Sequence, residues 1–138
     1  MGYSGAPSTA MVAVLADDPG LRELVGAVLV DAGFRPWLLP ADPDVLAALR
    51  TTLPDVILLD VWRETPHRGI SLLHHLRDEP ATRSVPIVAL SASAHVPERR
   101  AYYLDAGCAA VLPEPFDLDD LLATVASVLA PVGDEPRR

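Results

Sequence analysis

The 138-residue chain is half hydrophobic and carries a formal charge of −8 at pH 7, the length of one domain with enough apolar material for a core. Its acidity argues against nucleic acid as a direct partner. No apolar run approaches the roughly 20 residues of a membrane span, and the opening MGYSGAPST lacks the basic start and apolar stretch of a secretory signal.

Residues 1–9 read as a flexible lead-in, 10–130 as the domain and 131–138 as a flexible polar tail. MVAVLA (11–16) is a short continuous apolar run, the mark of a buried parallel strand. Asp18 then offers an N-cap with Pro19 at the first helical position, and Leu21, Leu24, Val25, Val28 and Leu29 recur at helical spacing up to Gly33. FRPWLL (34–39) is a second strand, placed towards a sheet edge by Pro36. DPDVLAALR (42–50) repeats the Asp-Pro helix start, and DVILLD (55–60) is the most hydrophobic strand. A polar loop is expected over 61–69, ending at Gly69, followed by a helix over 70–78 and a strand over 85–90. A helix from Pro97 to Ala106, a strand over 109–112 and a last helix over 117–130 complete the pattern. Strands alternating with helices imply an α/β, (βα)5 doubly wound, five-stranded parallel sheet covered on both faces, with ligands outside the carboxyl ends of the strands.

Those ends hold Asp17 and Asp18, Asp60, Ser91 and Glu114. Three carboxylates from two strands make a hard-oxygen site suited to Mg²⁺, which relieves their mutual repulsion. A carboxylate beside the cation can attack an activated phosphoryl group and carry it covalently. Ser91 could hydrogen-bond the new phosphoryl oxygen.

With the acidic pair Asp17–Asp18, VILLD ending in Asp60, PIVALSA containing Ser91, and PEPFD opening the last helix, the chain resembles the receiver domain of two-component response regulators over about residues 10–130. The resemblance implies the flavodoxin-like receiver fold, Asp60 as phosphoacceptor, Mg²⁺ held by Asp17, Asp18, Asp60 and the backbone carbonyl of Trp62, and Ser91 as hydroxyl switch. It implies a cytoplasmic signalling module rather than an enzyme. A sensor histidine kinase or phosphotransfer protein would be the partner, with contacts, or a homodimer, through helix four, strand five and helix five. The single Cys108, without an internal disulfide partner, fits the same reducing compartment.

Two departures stand out. Glu114-Pro115-Phe116 aligns with the family's Lys-Pro-Phe, and all 11 basic residues are arginine, so no lysine can substitute. Val111 stands where the family tends to carry a switching aromatic. The loop after Asp60 is about one residue longer than usual, and its Arg63 or Arg68 could supply the missing charge. At about 4 Å and an effective dielectric near 20, one unit-charge interaction is about 4 kcal/mol, so the reversal at Glu114 opposes a phosphoryl group. The alternative reading is a phosphorylation-independent pseudo-receiver acting as a protein-interaction module. A haloacid-dehalogenase-like phosphatase is disfavoured because Asp60 is followed by Val61-Trp62 rather than x-Asp, and cobalamin binding because no Asp-x-His-x-x-Gly is present. Structural roles compete elsewhere. Asp18 also suits a plain N-cap, His67, His74, His75 and His95 suit solvated or packing positions, and Cys108 suits the core. One of Tyr102 and Tyr103 should pack while the other faces outward.

Overall fold

The structure, a computed structural model, describes residues 10–61 and 66–130. The lead-in, the tail, Trp62 and Arg63 lie outside the described residues, as does the His67 side chain. The chain order is β1 (Met11–Leu15), α1 (Pro19–Asp31), β2 (Arg35–Leu39), α2 (Val45–Thr51), β3 (Val56–Val61), α3 (Pro66–Asp78), β4 (Ile87–Ser91), α4 (Pro97–Asp105), β5 (Ala110–Pro113) and α5 (Leu118–Leu129). The strands form one parallel sheet in the order β2-β1-β3-β4-β5. The expected α/β fold is therefore observed. Pro36 does lie on an edge strand, where a missing N–H costs no ladder bond.

Strand alternation sends side chains to two core layers. Leu15, Ile57, Leu59, Ile87 and Ala89 share one layer with residues of α2, α3 and α4. Val12, Val14, Leu58 and Leu90 share the other with α1 and α5. All of β3 is buried, so its near-continuous apolar run is what a central parallel strand requires.

Three boundaries differ from the sequence expectation by two residues or more. The helix expected from residue 70 begins at Pro66, whose fixed φ and missing N–H suit a first helical turn. Gly69 is thus inside α3 rather than at the end of a loop. A Cβ there would lie 3.2 Å from the Val61 Cα, so its smallness lets α3 close against the end of β3. The helix expected from 42 begins at Val45, because the Asp42 side chain accepts the Asp44 N–H at 2.9 Å and closes a turn first. The strand expected over 85–90 spans Ile87–Ser91, since Val85 N–H bonds back to the Thr82 carbonyl at 3.0 Å. Gly33, at φ 97°, ends the first helical segment with the positive φ that glycine adopts without strain.

Candidate functional site

The carboxyl ends of β1, β3, β4 and β5 meet at one edge of the sheet. Asp60 lies opposite Leu90, and Val61 opposite Ser91. Asp60 and Ser91 are therefore one step apart in register. Asp60 projects to the α1/α5 side with Leu58, whereas Ser91 follows Ala89 and Ile87 to the α3/α4 side.

Asp60 is only 3% exposed, and among the described residues neither of its carboxylate oxygens has a hydrogen-bond partner; nor does the buried Oε2 of Glu114. Most buried polar atoms are satisfied, so three orphan oxygens from two side chains mark a place with work beyond folding. The Glu114 N–H donates to the Ser91 carbonyl at 2.9 Å, which anchors its backbone beside β4. The Asp60 carboxyl is pushed up from 3.8 to about 8, first by burial, then by a hydrogen bond and repulsion from Glu114, then by the charges of Asp18 and Asp17. Once Asp60 is protonated, its O–H can donate to Glu114. A pocket of about 400 Å³ is lined by Asp18, Asp60 and Glu114 together with Leu21, Leu24 and Phe116.

The two carboxylates that follow β1 are differently placed. Asp17 Oδ1 accepts the Ala41 N–H at 3.0 Å, and Oδ2 lies 3.4 Å from Arg68 Nη1. Asp18 Oδ1 accepts the Gly20 N–H at 2.9 Å and caps α1, so the plain structural role holds for one of its oxygens. Among the described residues, no three His, Cys, Asp or Glu side chains stand in a ready-made metal-binding group. The donor chemistry nevertheless suits a hard divalent cation, because the Asp60 oxygens are buried and without partners among the described residues, and a bound cation favours their ionised form. Arg68 brings positive charge to the acidic rim, on Asp17.

Ser91 is 2% exposed, and its Oγ meets Ser93 Oγ at 3.1 Å and the Tyr103 hydroxyl at 3.3 Å. Val111 is buried in β5 beside Ala89. Of the adjacent tyrosines, Tyr103 packs at 1% exposure and Tyr102 is 39% exposed. The Tyr102 hydroxyl meets His74 Nε2 at 2.9 Å, while His75 Nδ1 and His95 Nδ1 donate to the Ser71 and Ala92 carbonyls. Cys108 is a free, buried thiol, pushed up to about 11 by burial. The contact between Tyr103 and Ser91 was missed in the sequence. Its one available signal was the small Val111: a close-packed core needs volume from elsewhere when an expected ring is absent.

The family model described as the response regulator receiver domain matches residues 12–126. The chain belongs to that family. Receiver domains are phosphorelay signalling modules, and this one is 32% identical over 118 residues to the phosphate regulon transcriptional regulatory protein PhoB of Escherichia coli K12, covering 86% of the chain and 51% of PhoB. It is 35% identical over 115 residues to the response regulator Rre1 of Synechocystis, covering 83% and 49%. The receiver domain thus spans about half the length of these curated relatives. Among solved structures, it resembles the chemotaxis response regulator CheY4 of Vibrio cholerae, with a TM-score of 0.76 and 28% identity, covering 88% of this chain and 99% of that one. It also resembles the receiver domain of the sensor histidine kinase PA1611 of Pseudomonas aeruginosa PAO1, whose active-site cleft coordinates magnesium; there the TM-score is 0.76 and identity 26%, covering 89% and 99%. Among the described residues, no helix is long and apolar enough to cross a membrane.

Proposed function

We propose that Asp60 accepts a phosphoryl group from a sensor histidine kinase or a histidine phosphotransfer protein in the cytoplasm. The observation that carries this reading is a carboxylate at the end of the central strand, 3% exposed, with both oxygens unpartnered and open to a pocket. One Asp60 oxygen attacks phosphorus. The phosphorus–nitrogen bond to the donor histidine breaks, the imidazole leaves with the electron pair, and an acyl phosphate remains. Attack requires the ionised carboxylate, so Asp60 must first lose the proton that burial and Glu114 favour. Asp60 and Asp18 would hold Mg²⁺ together with the Trp62 carbonyl, and Asp17 would join on release from Arg68; the cation supplies charge neutralisation and polarises the phosphoryl oxygens. Ser91 would turn from Tyr103 to a phosphoryl oxygen. Glu114 opposes the added charge, which makes the acyl phosphate sparser or shorter-lived than a lysine would. Output would pass through α4, β5 and α5 to a partner or a second copy.

The experiment is incubation with Mg²⁺ and acetyl phosphate, followed by intact mass and Trp62 fluorescence. A Mg²⁺-dependent gain of one phosphoryl mass, absent from Asp60→Asn, is expected. An unchanged mass and no quenching would leave the phosphorylation-independent interaction module as the reading.

A further inference from the structure

The receiver family tends to carry its switching aromatic on strand five, and here that position is Val111, which has no ring to swing. A ring does reach the switch hydroxyl, but from a helix. Tyr103 of α4 is 1% exposed, lies in the same core layer as Val111 and Ala89, and places its hydroxyl 3.3 Å from Ser91 Oγ. We propose that the Tyr103 hydroxyl couples the state of Ser91 to the exposed face of α4 and α3, taking over from a helix the part played elsewhere by a strand-five aromatic.

The contacts form a continuous path. Ser91 Oγ accepts the Ser93 N–H at 3.2 Å and meets Ser93 Oγ, so Tyr103 competes for a hydroxyl with few free directions. The Tyr103 ring meets the Tyr102 ring edge-on, with centroids 5.9 Å apart at 74°. Tyr102 in turn holds His74 of α3, through its hydroxyl at 2.9 Å and by a second edge-on ring contact with centroids 6.2 Å apart. Tyr102 is 39% exposed and Leu104 40%, so the path ends on a surface a partner can read. When Ser91 turns away, the Tyr103 hydroxyl is left unpaired inside the core. A buried donor without an acceptor is costly enough that the ring or the helix must shift. Tyr103 is a positioning residue: it acts through Ser91 and touches no reacting atom. The signalling meaning rests on Asp60 as phosphoacceptor, but the coupling itself does not.

The test therefore starts without phosphorylation. Ser91→Ala withdraws the hydroxyl, and the ring resonances of His74 are followed by NMR. They are expected to move in Ser91→Ala and to lose that response when Tyr103→Phe is also present. An equal response with and without Tyr103→Phe, or none in either, overturns the proposal. Should Tyr103→Phe fail to fold, fluorotyrosine labelling of the protein and of Ser91→Ala decides instead: the Tyr102 and Tyr103 signals move together, or the coupling is wrong. Adding Mg²⁺ and beryllofluoride to the unmutated protein should reproduce the Ser91→Ala shift. If silence there accompanies an intact Ser91→Ala response, the reading of Asp60 fails while the coupling stands.

Discussion

The acidic rim has two halves that the fold treats in opposite ways. After β1, Asp17 and Asp18 are held by N–H donors of Ala41 and Gly20, and Asp17 also by Arg68. On β3 and after β5, Asp60 and Glu114 keep buried oxygens with no donor among the described residues. Carboxylates whose oxygens accept N–H donors near the surface add modestly to stability. Buried unpartnered ones destabilise the fold as anions and are relieved by a proton, a cation or movement. The half of the site that costs stability is the half at which ligand chemistry is expected.

Converting the second half into the first should give the largest effect. Glu114→Lys places a donor and a positive charge where the described residues give Asp60 neither. Asp60 should then ionise far below its present midpoint of about 8. The acyl phosphate formed with acetyl phosphate should rise by roughly tenfold or more, since each 1.4 kcal/mol of electrostatic gain is a factor of ten. Carboxyl-carbon NMR titration and intact mass would check both, and an unchanged midpoint would mean that Glu114 does not govern Asp60.

Next in size is the pH dependence of the metal-free protein. The folded Asp60 midpoint lies above the unfolded value of 3.8, so between them the folded state binds the extra proton. Stability contributed by this group is full below about pH 4 and is lost as pH rises towards 8, at up to about 1.4 kcal/mol per unit. Denaturant unfolding of the native chain and of Asp60→Asn, each with a chelator, should show the native chain losing several kcal/mol relative to the variant over that window. Parallel curves would break the contrast between the two halves. Excess Mg²⁺ should flatten the difference, because a bound cation favours the ionised carboxylate.

The fold and most of the rim were legible because their signals are local. Apolar runs, Asp-Pro helix starts and Gly33 fix elements by chain geometry, and strand ends in a parallel sheet converge whatever the side chains do. The start of α3 was hidden because Gly69 looks like a turn residue until β3 is seen pressed against it. That Glu114 faces Asp60 followed from the alignment, but the partners of Asp17 did not: Ala41 and Arg68 arrive from distant segments. Tyr103 was ambiguous with Tyr102 for the same reason. Adjacent helical residues face different ways, and only tertiary packing decides which one reaches Ser91.

Smaller effects belong to the partnered half. Asp18→Ala removes the cap on Gly20 N–H and should destabilise the fold by about 1 kcal/mol. Part of that loss should be returned by lower repulsion on Asp60, which Asp18 raises only after burial and Glu114. Arg68→Ala should do least to stability. The pair is 3.4 Å apart with the arginine side chain 45% exposed, and exposed pairs of this kind contribute about 0–1 kcal/mol. Its value lies in what it leaves free. Asp17 would keep the Ala41 N–H on one oxygen and release the other, so Mg²⁺ affinity should rise modestly if Asp17 joins the metal. Mg²⁺ titration followed by Trp62 fluorescence reads this directly. Weaker binding in Arg68→Ala would show instead that Arg68 organises the rim, and that the two halves are coupled through it rather than opposed.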